Sequence, residues 1–426
     1  MKYLLTLVCT LFLFASCSKD GGDGPLPPDK TERTVLIYMA GENNLTVYNG
    51  YRYLYYDLQE IIEGSKQLKD NQRLFVFVDS LNTNSQQASN PFIMEVHGGK
   101  TYIRKQFTSD FYSCDPKKFR EVIDWVIGNG EADSYGMVLW GHANGWVVSN
   151  DSIEENAQSR GTRTYGQDNG TDTGGSLKIM NITQMARAMK GLPKMDFIFA
   201  DCCNMMCAEV GYVLRDATEY LIGSPAEIPS EGAPYDIMVP LFFKSGSDSY
   251  RNLMETYYNY FLEENSHIYT NPFSVPMSVI HTRYIGELVE ATREILGRFT
   301  SPIPAYPEYL NLSASDIAFY MYFDAPLMYD MYALIKANTS EEDFLKWQEI
   351  YKKAVPYYHM SMKWDTIYDS QYYAFSHFNP DASLYGCVSM FVPMNTGTYN
   401  NGAYHYNKTF KNYEWNRKLN WERFGW

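Results

Sequence analysis

The chain has 426 residues, with 36 Lys and Arg against 50 Asp and Glu, a formal net charge of −14. Hydrophobic residues make up 45% and charged residues 20%, a globular composition that excludes intrinsic disorder, and the length suits two domains or one large one. The acidic balance argues against nucleic acid or an anionic membrane surface as partner, because both select concentrated positive charge.

Lys2 precedes a fourteen-residue apolar run, Tyr3 to Ser16 (YLLTLVCTLFLFAS). A spanning helix needs about 20 residues, so the run reads as an export signal. It ends in Phe14-Ala15-Ser16-Cys17, which resembles a bacterial lipobox with Phe14 at the usual Leu position. On that reading residues 1–16 are a signal peptide and Cys17 carries the lipid anchor. Residues 17–31 form a flexible tether, and Lys19-Asp20 resembles the surface-export tag of Bacteroidetes lipoproteins. The expected location is the outer membrane or cell surface of a Gram-negative bacterium. Past Cys17 stand Cys114, Cys202, Cys203, Cys207 and Cys387, an odd set with three members inside six positions. That is not the pattern of a disulfide scaffold.

Thr34 to Ala40 (TVLIYMA) predicts a buried strand, turned by Gly41-Glu42-Asn43-Asn44. Helical spacing follows over Tyr53 to Leu68, with Leu54, Leu58, Ile61 and Ile62 on one face. Leu74 to Val78 is a second strand, residues 91–106 a hairpin, and Pro116 to Gly128 a helix. Gly136 to Trp140 and Phe197 to Ala200 are further strands, Met205 to Asp216 a helix, and Tyr220 to Ile222 a fifth strand. Alternation with continuous apolar strands implies an α/β fold, a mostly parallel sheet with helices on both faces. Between Ser149 and Gly175 lies a polar stretch too long for an idle connection. The pattern changes near residue 245. A catalytic domain over 32–245 and a C-terminal α+β domain over 246–426 are expected. The second has strands at Val275 to His281 and Val388 to Pro393, and helices at Tyr284 to Phe299 and Glu341 to Tyr358.

Two strand ends carry reactive side chains. Gly141-His142-Ala143-Asn144-Gly145 follows the third strand, and Asp201-Cys202-Cys203-Asn204 follows the fourth. Neighbouring parallel strands bring such ends together, where ligands of open α/β sheets bind. A thiolate is a nucleophile, and imidazole takes the thiol proton and returns it to a leaving amine. A helix starting just after Cys203 would favour the thiolate. The N–H groups of Cys203 and Ala143 are candidate oxyanion donors, and Asp201 places a carboxylate near the pocket. Singly, each has a plainer reading: His142 a turn residue, Cys203 an inert core thiol, Asp201 a cap. His142 with Cys202, Cys203 and Cys207 is a weak zinc pattern, with no CxxC pair.

At these residues the chain resembles the clostripain family of cysteine peptidases, relatives of the caspases, legumain and gingipains. The matching segments are TVLIYMAGENNL, YGMVLWGHANGW, DFIFADCCNMMCAEVGYVLRDATEYLIGSPAEIPSEGAPY and GCVSMFVP. The resemblance implies a caspase-like fold and a Cys–His dyad, with His142 the catalytic histidine and Cys203, not Cys202, the nucleophile. It implies that Asp201 selects Arg or Lys at P1, the residue before the cut, with Ser224 on the substrate side. Departures are Ala143 for the usual Gly, Asn204-Met205-Met206 for Leu-Met-Ala, and Pro225-Ala226 where acids often follow Ser224. Glu227 is a candidate to replace those acids. If position 143 needs positive φ, Ala143 would be strained.

Family members often cut themselves between the His and Cys segments. Arg160, Arg163 and Lys178 are the candidate sites in or just past the polar stretch. No cofactor is called for and no metal-ligating set is read. Calcium dependence occurs in the family, so the resemblance leaves calcium open as a ligand, though no EF-hand-like loop is present. The expected partners are peptides or proteins basic at P1, with the chain a monomer. The rival reading is a non-catalytic surface lipoprotein that keeps the fold to bind peptides or glycans.

Overall fold

Nine residues, Arg33–Gly41 (β1), are buried along their whole length. They are apolar throughout the middle because parallel neighbours flank them: Gln72–Leu81 (β2) on one side, and a later strand, Ser134–Trp140, on the other. The computed structural model describes residues 30–47, 49–147, 165–170, 176–263, 274–299, 319–322, 326–361, 381–393 and 413–424. The lipobox and Cys17 lie outside them.

The remaining strands are Ala88–His97 (β3), Lys100–Gln106 (β4), Ser134–Trp140 (β5), Tyr165–Asp168 (β6), Lys178–Met180 (β7), Met195–Asp201 (β8), Thr218–Gly223 (β9), Met277–His281 (β10), Phe319–Tyr322 (β11), Pro326–Asp330 (β12), Tyr357–His359 (β13) and Ser389–Met390 (β14). Nine of them form one sheet in the order β13-β10-β9-β8-β5-β1-β2-β3-β4. Its centre, β9-β8-β5-β1-β2, is parallel. Both flanks are antiparallel, β3-β4 at one end and β10-β13 at the other. The expected parallel α/β core is present, and the antiparallel strands at both flanks make the whole sheet mixed. β10 and β13, from beyond residue 245, complete it.

The β3–β4 hairpin turns on Gly98 and Gly99, both at positive φ (59° and 77°), as a two-residue hairpin turn matching strand twist requires. At Gly136 in β5 a Cβ would lie 2.3 Å from the Phe197 ring of β8, so only glycine lets these strands close. Arg33 is buried at the start of β1. It donates to Ser134 Oγ at 2.9 Å, to the Phe242 and Lys244 carbonyls at 3.1 and 2.6 Å, and to Asp196.

The helices are Tyr53–Gly64 (α1), Pro116–Asn129 (α2), Ile182–Met189 (α3), Ala208–Val213 (α4), Tyr235–Met238 (α5), Ser247–Glu263 (α6), Ile285–Leu296 (α7), Met331–Asn338 (α8), Glu341–Ala354 (α9) and Glu414–Leu419 (α10). They flank the sheet. α1, α5 and α6 pack together, as do α2, α3, α4, α7 and α10. α2 shows why such a helix forms where it does. Asp115 caps it by accepting from the Lys117 N–H at 2.8 Å, Pro116 opens it, and Phe119, Val122, Ile123 and Val126 bury one face. None of the helices among the described residues is long and apolar enough to cross a membrane.

Several boundaries differ from expectation. The helix at Tyr53 ends at Gly64 and continues only as a 3-10 turn. The helix at Glu341 ends at Ala354, because Tyr357–His359 joins the sheet edge as β13. The late strand shrinks to Ser389–Met390, in a separate small sheet ordered β11-β12-β14. That segment docks behind the Asp201–Cys203 turn: the Ser389 N–H donates to the Met206 carbonyl at 2.9 Å, and the Phe391 N–H to Glu209 Oε1 at 2.8 Å.

Candidate active site

β5 and β8 run parallel with Trp140 directly opposite Asp201. His142 lies two residues beyond the first and Cys203 two beyond the second, at the same carboxyl edge of the sheet. The loops that carry them pack together. A Cβ on Gly145 would stand 2.3 Å from the Asn204 carbonyl oxygen and 2.6 Å from Cys207 Sγ. The two segments anticipated from sequence thus meet. Cys203 and His142 are half-buried, whereas Cys202 and Cys207 are buried. Burial pushes both of these inner thiols up, away from reactive thiolate.

The His142 loop is shaped by its glycines. Gly141 and Gly145 take positive φ (141° and 55°), while Ala143 is not among the residues that do. The feared strain at Ala143 does not arise. Ala143 forms an isolated antiparallel bridge with Tyr165, closed by the Gly166 N–H donating to the His142 carbonyl at 2.9 Å. In that pattern the ladder does not consume the N–H of Ala143 itself.

Asn44, in the turn after β1, was not singled out from the sequence. Its Oδ1 lies 2.6 Å from His142 Nε2. The signal was present only as two adjacent asparagines in a turn, which read as turn chemistry.

The helix anticipated immediately after Cys203 is absent there. Cys203 to Met206 form an irregular turn with Asn204 at φ 59°, and α4 begins only at Ala208. The turn is laced instead to the segment after β9. The Asn204 N–H donates to the Ala226 carbonyl and the Met206 N–H to that of Ser224, at 2.9 and 3.0 Å. Asn204 Nδ2 reaches the Pro225 carbonyl at 2.9 Å. The Ser224 hydroxyl accepts from the Ala226 N–H at 3.0 Å. Just beyond, Glu227 is buried, and the Ile228 N–H points at Cys203 Sγ from 3.5 Å.

Asp201 ends β8 with its side chain buried. Its Oδ2 accepts from the Tyr235 hydroxyl at 2.7 Å and from the Ala233 N–H at 3.1 Å. Its Oδ1 has no partner among the described residues. Burial raises this carboxyl to about 6, against the pull of those two hydrogen bonds. Further acids surround it. Asp57 of α1 accepts from Trp140 Nε1 at 2.5 Å, and is pushed up by burial and then by the charge of Asp201. Glu60 is raised to about 7, chiefly by burial. Gly232, at φ 67°, separates Asp201 from Asp57, for a Cβ there would lie 2.9 and 3.1 Å from their Oδ2 atoms. Tyr235, Asp57 and Glu60 sit too far from Asp201 in the chain to be found by spacing.

Of the processing candidates, Arg160 and Arg163 lie outside the described residues. Lys178 is held in β7 opposite Asp168 of β6. Among the described residues, His142 and the cysteines form no metal-ligand group. The group that does form is Glu42, Asp79 and Asp168, all buried.

The profile of the clostripain family of peptidases (C11) matches residues 37–426. The chain belongs to the clostripain family. Among solved structures it is similar to a secreted C11 cysteine protease from Bacteroides thetaiotaomicron, bound to an irreversible peptide inhibitor. They share 27% identity and a TM-score of 0.70, over 92% of this chain and 99% of that one. It is also similar to an inactive zymogen C11 protease from Parabacteroides distasonis, at 25% identity and TM-score 0.70 over the same shares. A second secreted C11 protease from Bacteroides thetaiotaomicron, at 21% identity and TM-score 0.67 over 92% of this chain and all of that one, shares the fold. No functionally curated protein matches the chain. Membership makes this a cysteine peptidase of the caspase-like clan, a hydrolase of peptide bonds in family terms.

Proposed function

We propose that this clostripain-family chain is an exported, lipid-anchored cysteine endopeptidase that cuts after Arg or Lys through Cys203 and His142. The observation that carries the reading is the register of Trp140 with Asp201, which sets both reactive residues just past the same sheet edge. His142 takes the Cys203 proton, and the thiolate attacks the peptide carbonyl. The N–H groups of Cys203 and Ala143 receive the oxyanion. His142 then protonates the leaving amine, and water releases the acyl group. Asp201 Oδ1, buried and without a partner among the described residues, is the acceptor for a P1 guanidinium or ammonium. Glu227 and the Ser224 segment form the adjoining wall. The lipobox-like run ending at Cys17 and the 27% identical relative described as secreted support export.

The test is hydrolysis of fluorogenic peptides differing only at P1, by the chain lacking residues 1–17 and by its Cys203→Ala variant. Cleavage after Arg and Lys that the variant loses is expected. Cleavage after another residue would reject the role of Asp201. No cleavage, with no labelling of Cys203 by a P1-Lys acyloxymethylketone, would replace the peptidase by a binding module.

A further inference from the structure

Tyr257 of α6 is 1% exposed, and its hydroxyl has no hydrogen-bond partner among the described residues. A buried hydroxyl without a partner is costly, so each one calls for an explanation. The ring packs against Phe261 and Phe199, with centroids at 5.3 and 6.1 Å. Phe199 and Asp201 stand two positions apart in β8, so both project from the same face of the sheet. The phenol lies on that face. Burial pushes it well above its ordinary range, so it stays protonated. The negative charges that bear on it are, in falling order, those of Asp201, Cys203, Asp57 and Glu231. The first two are the proposed P1 acceptor and the proposed nucleophile.

Asp201 has one carboxylate oxygen to offer. Its Oδ2 accepts from the Tyr235 hydroxyl and the Ala233 N–H, while Oδ1 is open. A guanidinium presents paired N–H donors in a fixed fork, which ordinarily takes both oxygens of a carboxylate. Here the second oxygen is engaged, so the fork requires another buried acceptor beside Oδ1. An ammonium is a point charge with three rotatable donors and has no such requirement.

We propose that the Tyr257 hydroxyl oxygen is that second acceptor, which makes Tyr257 a residue that selects Arg over Lys at P1. The inference rests on the proposed place of Asp201 in the P1 pocket. It draws part of that pocket from α6, Ser247–Glu263, beyond the catalytic segment expected over 32–245.

The experiment measures kcat/KM at about pH 8 for two fluorogenic peptides that differ only in Arg or Lys at P1. It uses the chain lacking residues 1–17 and its Tyr257→Phe variant. The variant loses only the hydroxyl and keeps the ring on Phe199 and Phe261, so its melting temperature should match or exceed the parent's. The parent should favour Arg. The variant should lose about tenfold on the Arg peptide and about threefold or less on the Lys peptide. A second measurement needs no variant: agmatine should inhibit the parent at about tenfold lower concentration than cadaverine, because it carries the guanidinium. Equal losses on both peptides, an unchanged ratio in the folded variant, a parent that favours Lys, or equal inhibition by the two amines overturns the role of Tyr257 and leaves that of Asp201 standing. A parent that cuts after neither residue overturns the pocket itself and this role with it.

Discussion

Asn44 Oδ1 stands 2.6 Å from His142 Nε2, across 98 positions of sequence. An amide oxygen only accepts, so the bond requires the proton on Nε2 and leaves Nδ1 as the bare nitrogen. Asn44 thereby selects the tautomer and holds the ring. Asn44→Ala should lower kcat about ten- to hundredfold, part of the ~10²–10⁴-fold that a positioned base supplies, with KM little changed. Asn44→Asp keeps an acceptor and should recover more of the rate than Ala. Steady-state kinetics on one P1-Arg peptide decides it, and a change confined to KM would reject the positioning role.

Asp201 gives a pH signature. Its folded carboxyl titrates at about 6, above its ordinary 3.8, because it is buried. It is therefore charged only above about 6, and the proposed attraction for a basic P1 side chain should appear there. The ratio of kcat/KM for Arg over its neutral isostere citrulline should rise as pH goes from 5 to 7, while titration of the dyad cancels in the ratio. Asp201→Asn should flatten it. The linkage sign follows. The folded state holds this proton more tightly than the unfolded one, so ionisation costs stability. That cost is absent below about 4, grows between 4 and 6, and is complete above; the Asn variant should lose that slope in thermal melts.

Gly145 is held both by its φ of 55° and by the Asn204 carbonyl that a Cβ would strike. Gly145→Ala must push the His142 loop off the Cys203 turn. A destabilisation of about 1–3 kcal/mol is expected, with a loss of activity larger than the unfolded fraction explains. Gly191→Ala is the control: φ is +80° there, but the space is open, so only strain is added. Comparing melting temperature with kcat for the two separates clash from strain.

Self-processing, if it follows the proposed specificity, should fall at Arg160 or Arg163 and spare Lys178. The backbone at Lys178 is paired in β7, and a protease needs an extended, unpaired segment. Mass spectrometry of the fragments from active protein checks this. A single uncut band from active protein would reject self-processing, and a new terminus at Ile179 would reject the protection of β7.

Arg33 is a stability hinge far from the chemistry. Replacing it with Met strands Asp196 and two carbonyls that now accept from it. Loss of about 1–3 kcal/mol is expected, chiefly from the buried carbonyls left without a donor, since Asp196 is half-exposed and water can reach it. Urea denaturation of both proteins measures it.

The central strands were legible because each is covered on two faces and must be apolar throughout, as in β1, β2, β5 and β8. The Cys203 and His142 segments were legible because their chemistry lies at strand ends. The run from Met205 misled because Met205, Met206 and Cys207 fill the core of an irregular turn, and apolar content there mimics a helix. α6 was missed since its many tyrosines blur the apolar stripe of a helix. Asn44 read only as turn chemistry, and Asp57, Glu60 and Tyr235 gave no signal, because their partners are set by folding and not by spacing. The lipobox and the two arginines fall outside the described residues.

Parallel pairing has a consequence for any chain cut in the polar stretch. β5 precedes the polar stretch and β8 follows it, yet they are immediate neighbours at the middle of the sheet. A cut between residues 148 and 164 severs the chain without opening the sheet. The two fragments should travel together through a sizing column and separate only in denaturant. Each holds some of the central strands, so neither alone can rebuild the sheet. Once melted, the cut enzyme should therefore lose its activity for good, whereas uncut chain can refold.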